Sequence, residues 1–78
     1  MNCYIIEQKN GSIYKHKNGI EYRNELGMWH REDGPALEYT GDIKFWFLNG
    51  VNYSEQEYYS ELFNRGLITE EELFLKLL

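Results

Sequence analysis

Along residues 1–53 the apolar positions come in short runs, and each run stops at a turn residue. Asn10-Gly11, Asn18-Gly19, Gly27, Gly34-Pro35, Gly41-Asp42 and Asn49-Gly50 recur every seven to nine positions. Such residues make turns by accepting positive φ or by fixing φ. The runs between them are rich in Ile, Tyr, Phe and Trp, as strands are. The spacing predicts strands at about 3–8, 12–17, 20–25, 35–40 and 42–48. Asn10-Gly11 and Asn18-Gly19 are two-residue hairpin signals, and a longer loop spans 27–34. Alternation then assigns faces. Ile43, Phe45 and Phe47 point one way, and Lys44, Trp46 and Leu48 the other. Leu37 and Tyr39 share a face in their own strand. The side holding Ile43, Phe45, Phe47, Leu37 and Tyr39 is expected to be the core side, with Trp46 on the polar side near Lys44 and Glu38.

After residue 53 the period changes from two to that of a helix. Ser54-Glu55-Gln56-Glu57 is a capping box, in which Ser54 caps and Glu57 reaches back. Tyr53 and Tyr58 are spaced as its hydrophobic staple. Tyr58, Tyr59, Leu62 and Phe63 form an apolar stripe, and Gly66 is placed as a left-handed cap with Leu62 and Leu67 flanking it. A second box, Thr69-Glu70-Glu71-Glu72, has Ile68 and Leu73 as its staple and Leu73, Phe74, Leu77 and Leu78 as its stripe. Two short helices follow, at 55–65 and 70–78. Neither is long enough to persist alone, so both are expected to pack on the sheet. The fold class is therefore α+β: an antiparallel β-meander of about five short strands followed by two short C-terminal helices. It forms one domain, 1–78, with a meander over 1–53 and a helical tail over 54–78.

Composition narrows the functional classes. The 78 residues carry 13 acids against 8 Lys and Arg, a net charge of −5. Repulsion disfavours nucleic acid or an anionic membrane as a direct ligand and suits a partner protein with a basic surface. Aromatics make up 17% of the chain, more than so small a core readily hides, which leaves some for a partner or a second copy. The single Cys3 excludes an internal disulfide and reads as a small buried hydrophobe, which suits a reducing compartment. No apolar run approaches the roughly 20 residues of a membrane span. The first residues lack the basic and long apolar regions of a signal peptide. The expected location is the cytoplasm of the cell that makes or hosts the protein.

An internal repeat is visible. Residues 11–22 align loosely with 41–53 through Gly, Ile, Asn-Gly, a β-branched residue and Tyr, as in a meander of duplicated hairpins. The segment Trp29-His30-Arg31-Glu32-Asp33-Gly34-Pro35-Ala36, continuing to Phe45-Trp46-Phe47-Leu48-Asn49-Gly50, resembles a family of short β-hairpin repeats similar to MORN repeats. Such repeats are found in proteins of tailed bacteriophages and large DNA viruses. The resemblance covers about residues 28–53, a third of the chain. It implies stacked hairpins, a phage or viral origin and hence a bacterial host's cytoplasm, and it implies no catalytic activity. The chain departs from the pattern after Asn49-Gly50, where a further repeat would begin and a helix begins instead.

His30, Arg31, Glu32 and Asp33 invite a catalytic reading, with His30 and a neighbouring carboxylate as an acid–base pair. The structural reading is stronger. Asp33 can close an Asx turn, Pro35 fixes the approach to the next strand, and Arg31 can pair with a carboxylate or stack on Trp29 or Trp46. His16, His30, Glu32 and Asp33 have no recognised metal-ligand spacing. No cofactor motif is present, and Lys15, His16 and Lys17 are too small a basic cluster to bind nucleic acid. The expected function is thus non-enzymatic: a phage-encoded inhibitor or modulator of a host defence or nucleic-acid-processing protein. Its contacts are expected from Trp29, Trp46, Tyr58 and Tyr59 together with Glu55, Glu70 and Glu71. Homodimer formation is expected through the apolar helical tail. The alternatives are a virion structural or assembly protein, a small-ligand binder, and a small enzyme built on His30 and Asp33.

Overall fold

A computed structural model describes residues 4–8 and 11–78. Cys3 and the Asn10 half of the first expected turn lie outside these residues. Six strands, β1 (Tyr4–Gln8), β2 (Gly11–His16), β3 (Gly19–Arg23), β4 (Leu37–Tyr39), β5 (Ile43–Leu48) and β6 (Val51–Tyr53), precede two helices, α1 (Glu55–Asn64) and α2 (Glu70–Lys76). The strands pair in sequence order and every pairing is antiparallel. This is the α+β meander with a helical tail that the turn spacing predicts, lengthened by the short strand β6. Asn49 and Gly50 make the added hairpin possible, with φ of 49° and 83°, the pair of positive values that a two-residue hairpin turn needs. Both members of the internal repeat are hairpins, β2–β3 and β5–β6.

The first of these hairpins turns one residue early. His16 pairs with Gly19, so residues 17 and 18 form the turn and Gly19 begins a strand. Its glycine serves packing instead. A Cβ there would lie 2.3 Å from Tyr39 Cδ1 and 2.6 Å from the Glu38 carbonyl oxygen. The Tyr39 ring crosses the strand at the one place where no side chain obstructs it.

The charged hexapeptide is a detour within the sheet. Trp29 bridges to Arg23, and the His30 N–H donates to the Tyr22 carbonyl (2.9 Å). The Tyr22 N–H in turn donates to the Ala36 carbonyl (2.8 Å). On the other side, the N–H groups of Arg31 and Ala36 donate to Phe47 (3.3 Å) and Phe45 (2.9 Å). Residues 29–31 and 36–39 therefore occupy one lane between β3 and β5, and 32–35 bulge out of it.

Both capping boxes form, at Ser54 with Glu57 and at Thr69 with Glu72. α1 ends with Leu67 N–H donating to the Leu62 carbonyl and Gly66 N–H to Phe63, both at 2.9 Å. That is the Schellman pattern expected around Gly66. α1 lies on β5 and β6, and α2 lies against α1. The core beneath α1 is Leu48, Tyr58, Tyr59 and Leu62, joined by Trp46, Tyr53, Ile68 and Leu73. Burying each of the three fully enclosed side chains, Leu48, Tyr58 and Leu62, stabilises by about 2 kcal/mol.

The expected core side is only half right: Leu37 and Phe47 are buried there with Ala36 and half-buried Tyr39, but the helices pack on the opposite side. The helices cover the Trp46 and Leu48 side of β5. No helix covers the other side, where Ile43 is 49% and Phe45 42% exposed while Leu37 and Phe47 are buried. The cause is the β6 register. Tyr53 pairs with Trp46 and so shares its face, and the Tyr53–Tyr58 staple draws α1 onto that face.

Candidate partner-binding surfaces and the charged loop

The polar groups of the charged loop are largely engaged with one another. Arg31 Nε donates to Asp33 (2.9 Å), and its Nη1 to the Pro35 carbonyl and to Glu38 (both 3.1 Å). The guanidinium sits 4.0 Å from the centre of the Tyr22 ring, not on Trp29 or Trp46. The Asn49 N–H donates to His30 Nδ1 (2.9 Å), which makes that nitrogen an acceptor. Nε2 therefore carries the proton and faces Glu32 at 3.0 Å. Both imidazole nitrogens are occupied, and Asp33 faces Arg31 instead of His30. Among the described residues no three His, Cys, Asp or Glu side chains gather to hold a metal ion. An open cleft of about 620 Å³ beside the loop is lined by Ser12, Tyr22, Arg23, Leu26 and the loop residues.

Helix α1 anchors this loop. The Tyr58 hydroxyl donates to the Arg31 carbonyl and accepts from the Gly34 N–H (3.3 Å). Burial pushes the Tyr58 phenol up to about 12, against the opposing pull of the Gly34 hydrogen bond. Tyr58 is fully buried and Tyr59 nearly so. These two expected contact residues belong to the core, and the same holds for half-buried Trp46, whose ring lies among Leu48 and the α1 side chains.

A second polar cluster, not marked by any sequence motif, centres on Glu21. Glu21 is 9% exposed. Its Oε1 accepts from Arg23 Nη2 (2.8 Å) and Trp29 Nε1 (2.9 Å), and its Oε2 meets His16 Nε2. Burial alone would raise its pKa, but the hydrogen bonds from Arg23, Trp29 and His16 outweigh it and hold the carboxyl below the usual range. Its partners come from β2, β3 and the loop, and no local pattern announces them.

Two surfaces remain available. The first is the open sheet face, where Trp29 (37% exposed) packs at 5.0 Å on Phe47 beside Phe45, Ile43 and Tyr39. The second is the outer side of α2. Glu71, Phe74 and Leu75 follow the spacing that brings residues onto one side of a helix, and Leu78 follows just beyond the C-cap Leu77. Phe74 is 63%, Leu75 61% and Leu78 86% exposed. Glu70 and Glu71 are exposed next to them, and Glu55 is exposed in the first turn of α1. The aromatics and acids expected to act together are thus divided: Trp29 lies on the open sheet face and the three acids on the helical tail. Among the described residues no helix is long and apolar enough to cross a membrane. Comparison with protein-family models, curated proteins and solved structures gives no match to this chain.

Proposed function

We propose that the chain is a non-enzymatic interaction protein that docks a partner protein with a basic surface through its helical tail. The observation that carries this reading is the tail at α2, where Phe74 and Leu75 of the helix and Leu78 just beyond it stand exposed, with exposed Glu70 and Glu71 in the helix's first turn. Apolar side chains bordered by like charges suit a complementary surface that is apolar at its centre and basic around it. The net charge of −5 favours the approach of such a partner. The repeat resemblance favours a phage-encoded modulator that works by covering a surface of a host protein.

The test uses the full chain as bait in bacterial host lysate, beside a Phe74→Ala variant and a Glu70→Lys/Glu71→Lys variant. The reading expects a basic protein retained by the wild type, lost from both variants and released by salt. Equal retention by all three baits would refute the tail as the docking surface. Recovery of the protein in purified virions without a host complex would favour the assembly role.

A further inference from the structure

We propose that the open face of β2–β6 is covered by a second copy of this chain, the two sheets stacking face to face about a two-fold axis. This goes beyond the docking role of the helical tail and uses the opposite side of the sheet.

Three observations lead there. The first is chemical. Around the buried Leu37 and Phe47, the side chains of Tyr14, Trp29, Tyr39, Ile43 and Phe45 present apolar surface on this face, and no helix crosses it. A sheet with an apolar face is stable when a second layer covers that face, and the helices supply a layer only on the Trp46 side. The second is electrostatic. The charged side chains on this face of β2–β6 are those of His16, Glu21 and Arg23, and they are bonded to one another. A basic partner would find no free acid here. Two copies of an acidic chain can meet on this face, because the exposed acids of α1 and α2 project from the other side of the sheet. The third is area. Five strands about 4.8 Å apart and three to six residues long give a footprint of at most roughly 20 by 17 Å. With projecting side chains, pairing two such faces removes at most roughly 1,100 Å² from water, just under the roughly 1,200 Å² of stable complexes and in the range of weak association. An isologous pair also places Phe45 and Ile43 of each copy against the same surface of the other, as two-fold symmetry requires. The product is a sandwich of sheets roughly 10 Å apart with a helical tail on each outer side, so each dimer presents two docking surfaces.

Sedimentation velocity on the full chain from about 1 to about 500 µM tests this. The expected dissociation constant is about 10–100 µM, appropriate to an interface of this size. Ile43→Thr/Phe45→Thr keeps strand-forming residues while removing the apolar contact, and it should weaken association at least about tenfold. Phe74→Glu on the tail should leave association unchanged, which separates this inference from the docking role. A wild type that stays monomeric at the highest concentration overturns the pairing. Undiminished association of a natively folded double variant does so too, as does a dimer abolished by Phe74→Glu. If the double variant loses its native circular-dichroism spectrum, the wild type decides. Tryptophan quenching by acrylamide must fall as concentration rises, because Trp29 becomes covered, and concentration-independent quenching overturns the proposal.

Discussion

Replacing Tyr58 with Phe removes one oxygen atom and no ring. That oxygen joins α1 to both ends of the loop bulge, through the Arg31 carbonyl and the Gly34 N–H. The ring is fully buried, so water cannot readily replace the hydroxyl, and two backbone groups lose a partner in Tyr58→Phe. An unsatisfied buried group costs about 1–3 kcal/mol. The Gly34 bond is long at 3.3 Å, so its share lies at the low end, and the total should be about 2–3 kcal/mol. A chain of this size is stable by about 4–12 kcal/mol, and each kcal/mol moves its melting temperature by about 4–8 °C. Thermal and urea unfolding followed by circular dichroism, in dilute solution, should therefore place Tyr58→Phe at least about 8 °C below the wild type. Amide exchange at Gly34 should accelerate more than exchange in β3. The pH dependence gives an independent check. Burial raises the folded phenol to about 12 from an ordinary value of 10.0. Its contribution is complete below the unfolded pKa and is lost as pH rises through the interval between the two. The wild type should lose stability more steeply than Tyr58→Phe over that range. A variant within about 0.5 kcal/mol of wild type, with an unchanged alkaline slope, would refute the role given to this hydroxyl.

Glu21→Gln should cost about 2–3 kcal/mol at neutral pH in urea titrations, because Arg23 loses a buried charged partner. Since the folded Glu21 pKa is depressed, the wild-type advantage is present above the unfolded carboxylate value and disappears as pH falls through the folded one; an advantage unchanged in acid would contradict this. Gly19→Ala forces a methyl into the Glu38 carbonyl and the Tyr39 ring and should cost about 1–3 kcal/mol, whereas a neutral effect would show that Tyr39 does not lie across this position. Ser54→Ala removes the acceptor for the Glu57 N–H (3.1 Å) and should cost about 1 kcal/mol, seen as faster exchange in the first turn of α1.

What could be read from the sequence was mostly local. The two capping boxes, their staples and the Schellman end at Gly66 each involve residues within a few positions of one another, and each forms where the spacing placed it. The alternation in β5 separated Ile43, Phe45 and Phe47 correctly from Trp46 and Leu48. It did not decide which set the helices would cover, because both sets are apolar. The deciding signal was present in two pieces. The Asn49-Gly50 turn places Tyr53 beside Trp46, and the Tyr53–Tyr58 staple then fixes where α1 goes. The aromatic character of Tyr58 and Tyr59 suggests a partner contact, but their place on the inward stripe of an amphipathic helix marks them as core. The Glu21 cluster and the stacking of Arg31 on Tyr22 were not legible, since each depends on strand register and on the path of the 32–35 bulge.

The claim on which both the docking surface and the paired sheet depend is that α1 covers the Trp46 and Leu48 side of β5 and leaves the other side free of helix. Nuclear Overhauser contacts in the isotope-labelled chain test it directly. The account predicts contacts from the Leu48 methyls to Tyr58 and Leu62, and none from the Ile43 methyls or the Phe45 ring to any residue of α1 or α2. Contacts between Phe45 or Ile43 and the helices, with Leu48 free of them, would contradict it.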